Sequence, residues 1–373
     1  MNKLTNRLIS FTFLIFIFGF SLLNLLTPDR EKSESENRLL QQFPHFSLDR
    51  LLSGDYTRDF DKYMTDQFVL KDHWVGLKSD FEQFVHKSEN NGVYFGKDGY
   101  LLEKFSDKGE YFDINLQAIN SFHNKMEQLN TTVMLVPTAV KIYEDKLPLF
   151  APTYDQEKML SQAQDELKVH LVDVMPILME HKEEAIYYRT DHHWTTLGAF
   201  YAYQQLLKEW GINPYLDYHV ETVTHNFYGT HYFKANDHRL KPDEIHVYYP
   251  NHPVDFSLTF PGTGESLDGL YNYDYLDQRD KYSLFIDGNQ ALTVIKSNVE
   301  NGQKLVMFKD SYAHNFVPFL AMHFEEIHLI DLRYFNLNPY DYIREHEFTQ
   351  ALFLYNLSSF GTDSTIKKLK AYH

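Results

Sequence analysis

Five short apolar runs, at residues 131–136, 170–174, 304–308, 327–330 and 351–355, limit most strongly what this chain can fold into. They are rich in β-branched, aliphatic and aromatic residues, the pattern of strands buried on both faces. Helical periodicity flanks and separates them, at 114–129, 156–167, 315–324 and 339–347. Strand, helix, strand with short connections predicts a parallel sheet covered by helices. Because the runs fall in two separated parts of the chain, one α/β sheet has to be assembled from both.

Ahead of this pattern, Lys3 and Arg7 precede an apolar run at 8–26, just long enough to span a bilayer. The positive flank predicts a cytoplasmic start, with the remainder outside the cytoplasm. Leu22, Leu23, Asn24, Leu25 and Leu26 lack the small-x-small pattern of a cleavage site, so residues 1–28 read as an uncleaved anchor rather than a removed signal. Residues 29–37 are charged and poor in apolar side chains, which predicts a solvated linker, and folding is expected to resume at 38 and continue to 373. From 48 to 85, apolar residues at three- and four-residue intervals predict two or three helices. Residues 91–102 read as a hairpin around Lys97, Asp98 and Gly99. Residues 211–300, rich in Tyr, His, Asp and Gly, read as an irregular, β-rich insertion able to wall a site, with short alternating stretches at 245–249, 257–260 and 282–286.

The formal net charge of −17 argues against nucleic acid or an anionic membrane surface as the main partner. The sequence has no cysteine, so disulfides, thiolate metal sites and cysteine nucleophiles are excluded.

The densest chemistry lies in Tyr188, Arg189, Thr190, Asp191, His192, His193, Trp194 and Thr195. Each polar group in such a cluster needs a partner once water is removed. Thr195 or Thr196 is positioned to cap the helix that follows, which puts the cluster in a loop at that helix's N-terminus. Far downstream, the run at 304–308 leads into Lys309, Asp310, Ser311, Tyr312 and Ala313. A serine at a strand-to-helix turn is held at the sheet's carboxyl edge, where open α/β sheets bind ligands and nearby N–H groups can stabilise an oxyanion. Serine needs a histidine to take its proton and an acid to orient that histidine. Asp191 and His193 supply the pair if they reach the same rim as Ser311.

These residues resemble the DHHW family of bacterial membrane-anchored proteins, which is similar to alginate O-acetyltransferases of the AlgX/AlgJ type. The likeness rests on the Asp-His-His-Trp string with its preceding Arg189 and following Gly198 and Ala199, on the later Asp310-Ser311 turn, on Val136-Pro137-Thr138 leading to Lys146-Leu147-Pro148, and on Glu36-Asn37-Arg38 after the anchor. It covers almost the whole chain outside the insertion. It implies a permuted SGNH-hydrolase-like three-layer α/β/α sandwich, with Ser311 as nucleophile, His193 as base and Asp191 as its orienter. The oxyanion hole is expected from Ser311 and Asn356, with Asp331-Leu332-Arg333 at the end of the neighbouring strand. One departure stands out, because Lys309 occupies the position where relatives carry glycine, and its side chain is expected to crowd the turn.

The resemblance further implies extracytoplasmic O-acetyl transfer to a secreted or cell-wall polysaccharide. It implies no cofactor, with the acyl group delivered by a membrane partner of the MBOAT type. An acetylesterase would use the same three residues, and a non-catalytic glycan-binding or assembly protein is the third reading. Arg189, Trp194, Tyr312 and Arg333 are the candidate substrate contacts. Their plainer readings are an ion pair for Arg189 and core packing for Trp194. Asn356 reads equally as a loop cap. His192, His193, His225, His231, His238 and His246, with Asp191 or Asp237, offer metal ligands without any recognised zinc spacing, and a resident metal is not expected.

Overall fold

The computed structural model describes residues 3–33, 38–71, 73–74, 76–78, 87–237, 239–252 and 254–372. The chain divides into two compact units, one of residues 1–87 with 236–238, the other of residues 88–235 and 239–373. The main division therefore falls after Lys87, well beyond the expected start of the folded region at 38.

In the first unit, Lys3–Leu26 is one continuous helix of 24 residues without a buried side chain. Its length and composition make it a candidate membrane span. The stretch after it, exposed at residues 29–32, is hydrogen-bonded to the helical segment that follows. Arg30 N–H donates to Gln67 Oε1 and Gln67 Nε2 returns a bond to Arg30 O, both at 2.9 Å, while Tyr63 donates to Asp29. Lys32–Ser33 pairs with Arg38–Leu39 as a short antiparallel ladder. Helices Leu48–Leu52 and Asp55–Asp66 match the expected periodicity, the first capped by Ser47. Residues 72, 75 and 79–85 of the expected helical stretch, together with Glu36, Asn37 and His238, lie outside the described residues.

The second unit is built on an eight-stranded sheet. In chain order its strands are β1 (Asn130–Val136), β2 (His170–Val172), β3 (Phe256–Phe260), β4 (Glu265–Asp268), β5 (Leu292–Ser297), β6 (Lys304–Lys309), β7 (Glu326–Ile330) and β8 (Gln350–Asn356). Across the sheet they run β4-β3-β5-β7-β6-β8-β1-β2. All five apolar runs are present, and β7, β6, β8, β1 and β2 are mutually parallel. The three added strands come from the insertion and join antiparallel at one edge.

Successive strand residues face opposite sides, and the register shows helices on both. Phe308 of β6 lies beside Phe353 of β8, and both meet Phe122 of helix Phe112–Lys125 at ring distances of 5.3 and 5.2 Å. On the other face Thr132 of β1 accepts a 3.0 Å bond from Trp210 Nε1, just beyond helix Thr196–Glu209. From β6 the chain moves outward to β7 and then returns across to β8. The carboxyl ends of β6 and β8 consequently frame the point where strand order reverses, the place such sheets bind ligands.

The insertion is more regular than its composition suggests. Besides the three sheet strands it contains a ribbon of Tyr218–Phe227 paired with Asp243–Pro250. The stretch at 282–286, expected to be extended, instead holds a tight turn, Lys281–Leu284, ended by positive φ at Ile286 and Asp287. The expected helix at 315–324 is reduced to Val317–Leu320 and a turn at Ala321–His323, because Pro318 can occupy only a first helical turn. The hairpin forms as expected, Val93–Phe95 with Leu101–Glu103, and gains a third short strand at Glu89–Asn90.

Helix Thr196–Glu209 starts at Thr195, whose hydroxyl accepts from Gly198 N at 3.3 Å. Gly198 lets that first turn lie on Ile186, since a Cβ there would stand 2.3 Å from Ile186 O. Gly198→Ala is expected to cost about 1–3 kcal/mol through overpacking, read as a lowered midpoint in denaturant unfolding.

Candidate active site

The Asp-His-His-Trp loop folds back on itself. Tyr188 N–H donates to His193 O at 3.2 Å and Thr195 N–H to Ile186 O at 2.9 Å, so Arg189 to His192 form its tip. Asp243, at the start of the second ribbon strand, holds that tip. Its carboxylate accepts from Arg189 N and Nε at 3.1 and 3.2 Å, and from Thr190 N and Oγ1 at 2.8 and 2.6 Å.

Within the loop the buried Asp191 carboxylate accepts from both backbone and imidazole of its near neighbour. His193 Nδ1 lies 2.5 Å from Asp191 Oδ1, and His193 N–H donates to the same oxygen at 3.0 Å. Oδ2 receives Thr230 N–H at 2.7 Å and the Thr230 hydroxyl at 3.1 Å. His193 Nε2 then reaches Ser311 Oγ at 2.7 Å. Two parts of the chain 118 residues apart are thus joined in one hydrogen-bonded series, Asp191 to His193 to Ser311.

Burial and the adjacent His192 push His193 down to about 4, although Asp191 pulls the other way. Its imidazole is therefore neutral at physiological pH and able to accept a proton. Despite burial, the two flanking imidazoles keep Asp191 well below the ordinary carboxylate range. Tyr282 covers the His193 ring at 3.7 Å between centres, nearly parallel, and its hydroxyl donates to Ser311 O at 3.1 Å.

On the serine side, Asp310 caps the turn Ser311–Ala313. Its Oδ1 accepts from Tyr312 N at 2.8 Å, and its Oδ2 from Asn356 N at 2.8 Å and Asn356 Nδ2 at 2.7 Å. Burial pushes the Asp310 carboxyl up to about 6. Asn356 donates also to Ser359 Oγ at 2.8 Å, so both its amide hydrogens are engaged. This corrects the expectation of a free oxyanion donor, since Asn356 ties the end of β8 to the serine turn and caps the next helix.

Trp194 is wholly buried, which matches its packing reading and takes it out of the candidate substrate contacts. Its Nε1 donates to Tyr312 O at 2.9 Å and Asn315 Oδ1 at 2.8 Å, and Asn315 Nδ2 donates back to Trp194 O at 3.0 Å. Tyr312 is buried as well and donates to His192 O at 2.5 Å, a bond that replaces the expected substrate contact. Trp194 and Tyr312 together clamp the histidine loop to the serine turn. Arg189 spends Nε on Asp243 and Nη2 on Pro242 O, which favours the plainer ion-pair reading. Arg333 is paired in bidentate fashion with Asp331 at 2.6 and 2.8 Å, yet it remains partly exposed. It lines a cleft of about 330 Å³ with Asp310, Ser359, Asp363, Ser364 and Thr365.

Lys309 does not crowd the turn. As the last residue of β6 it is buried, with Nζ 2.8 Å from His314 Nε2 and 3.4 Å from Asp331 Oδ2. Burial lowers its pKa. Among the described residues, Asp191, His192 and His193 are the one group close enough to share an ion. An ion there would compete with the His193 bonds to Asp191 and Ser311. Of the other candidate histidines, His231 is buried beside the cluster, its ring 6.0 Å from that of His192 and its Nδ1 on Leu101 O, while His225 and His246 flank Glu244 on the ribbon.

The sequence reading missed Asp243, Thr230, Gly229, Tyr282 and Asn315. Asn315 lies four residues after Ser311, within the span one helical turn would cover, but the others carry no local signal.

A serine, an imidazole and a carboxylate in series at the carboxyl edge of a parallel sheet define an α/β protein whose geometry suits nucleophilic acyl transfer. Residues 87–330 match the family model described as DHHW protein, and the chain belongs to that family. A DHHW family protein from Eubacterium siraeum superposes with a TM-score of 0.67 and 28% identity, over 76% of this chain and 96% of the other. Bacillus cereus PatB1 shares the fold, with a TM-score of 0.61 and 23% identity over 74% and 97% of the two chains. In sequence, the chain is 27% identical over 181 residues to a protein described as probable alginate O-acetylase AlgJ from Pseudomonas syringae pv. tomato, covering 45% of this chain and 46% of that one. The chain thus spans about half the length of the curated relative it matches.

Two outcomes follow from the geometry. A Cβ on Gly229 would stand 2.1 Å from Asp191 Cβ and 2.4 Å from its Oδ2. Gly229→Ala is therefore expected to slow labelling of Ser311 by a fluorophosphonate about 100-fold by displacing the carboxylate. In the unaltered protein, labelling should persist through mildly acidic pH and fall as pH drops through about 4, because below that value His193 is protonated and cannot take the serine proton.

Proposed function

We propose that this protein is a membrane-anchored O-acetyltransferase that acetylates a polysaccharide outside the cytoplasm. The observation that carries the reading is the unbroken series from Asp191 through His193 to Ser311 Oγ, with contacts of 2.5 and 2.7 Å. Ser311 Oγ attacks an acetyl carbonyl while its proton passes to His193 Nε2, and Asp191 holds the imidazole and stabilises its positive form. The developing oxyanion rests on the Ser311 N–H, a first-turn donor that has no partner within its own turn. Collapse expels the donor's leaving group, which takes the proton from His193 and leaves acetyl-Ser311. A glycan hydroxyl then gives its proton to His193, attacks the same carbonyl and regenerates Ser311. No cofactor enters these steps.

The order of the two elements, with the aspartate and histidine before the serine, supports the permuted SGNH-like reading. The AlgJ relatives, named for alginate O-acetylation, support a polysaccharide acceptor. The helix Lys3–Leu26 supports a single-pass anchor with the sheet domain outside, receiving its acetyl group from a multi-spanning MBOAT-type partner. Arg333 and the polar cleft beside it are the proposed acceptor contacts. Lys309 is buried and satisfied by His314 and Asp331, which supports a catalytic over a non-catalytic role.

The test is turnover of a chromogenic acetyl ester, with intact-mass analysis for the acyl-enzyme. Ser311→Ala and His193→Ala are each expected to lower turnover by about a thousandfold or more and to abolish the acetyl adduct. Unchanged turnover in either variant would sink the reading. Supplying acetylated and unacetylated oligosaccharides together separates transfer to a second glycan from release of acetate by an esterase.

A further inference from the structure

The first unit carries apolar surface that its own packing does not use. Phe43, Phe46, Met64, Phe68, Leu70 and Trp74 are all exposed. Soluble surfaces rarely gather so many large apolar side chains without a partner. Helix Asp55–Asp66 shows how the surface is organised. Tyr56, Phe60, Tyr63 and Met64 fall on one face, while Asp55, Arg58, Asp61 and Lys62 fall on the other. Phe43 sits edge-on to Phe60 and Tyr63, and Phe46 edge-on to Tyr56, so the two exposed rings extend the apolar face instead of closing it.

This face is continuous with the end of the apolar N-terminal helix. Phe20 packs on Phe68 at 6.3 Å and on Trp74 at 5.6 Å, and Asn24 Oδ1 accepts Val69 N–H at 2.6 Å. Between the helix end and the amphipathic face lies a cavity of about 400 Å³, walled on one side by Leu25, Phe43, Phe60, Tyr63 and Met64 and on the other by polar residues that include Asp29 and Gln67.

We propose that the aromatic face of residues 43–74 lies in the outer leaflet of the bilayer, with lipid acyl chains as its occupant. The placement follows from the helix it adjoins, whose last turns must leave the bilayer where Phe68 and Trp74 meet Phe20. Aromatic rings concentrate at that depth, and a helix with one apolar and one charged face lies flat there. The unit then acts as an interfacial foot at the point where the anchor leaves the membrane. The proposal rests on the reading of Lys3–Leu26 as a membrane span.

The full-length protein, reconstituted in phosphatidylcholine vesicles, tests it through Trp74. Trp194 is fully buried and Trp210 is packed on Phe324, and both belong to the other unit. Lipid brominated in the upper half of its acyl chains should quench part of the tryptophan emission, and that quenchable part should vanish in Trp74→Phe. Emission that is equal in brominated and plain vesicles, from protein that floats with them, would overturn the interfacial placement while leaving the anchor intact. Failure to float would overturn both. Neither result bears on the acetyl ester assay, so the foot and the catalytic reading fail separately.

Discussion

A buried carboxylate loses its water and must recover that interaction from the protein. Asp191 does so through four donors, two from His193 and two from Thr230, and much of the surrounding structure exists to bring them together. Thr230 can approach only because Gly229 has no side chain to collide with Asp191. Asp243 fixes the loop tip in turn through Arg189 and Thr190. The insertion, which supplies Gly229, Thr230 and Asp243, is therefore part of what holds Asp191 and its loop in place rather than an ornament on the sheet.

The serine side is fixed by a second set of buried polar contacts. Asp310 binds Asn356 across the gap between β6 and β8, while Trp194, Asn315 and Tyr312 bind the serine turn to the histidine loop. These groups are close to fully buried, so losing any one leaves an unpaired polar atom in the interior, at a cost of about 1–3 kcal/mol. That cost locks the relative position of His193 and Ser311.

The parallel strands were legible because burial on both faces leaves an uninterrupted apolar run, as at 351–355. Residues 292–297 form β5 but sit amid polar residues, so periodicity did not separate them from their surroundings. The three residues of the hydrogen-bonded series were legible because the chemistry demands their types together with a turn after a strand. Asp243 and Tyr282 were not, since each meets its partner across tens of residues and looks like any acidic or aromatic residue of the insertion. The sequence also misled at Lys309, where a large side chain at a tight turn suggested crowding. Its direction is fixed by Asp331, 22 residues on, and by His314 just past the turn, neither of which a local pattern announces.

The topology also governs the order in which this site can come into being. β8 pairs with β1 through Gln350 and Asn130, and with β6 through Gln350 and Leu305. The central ladder therefore closes over most of the folded chain before its last strand is secured. Such long loop closures slow folding, because chain entropy is lost before contacts repay it. Asp310 finds its Asn356 partner only at that final step. A nascent or partly threaded chain accordingly lacks the contact that fixes the serine turn, and the geometry around Ser311 arrives as a property of the finished sheet.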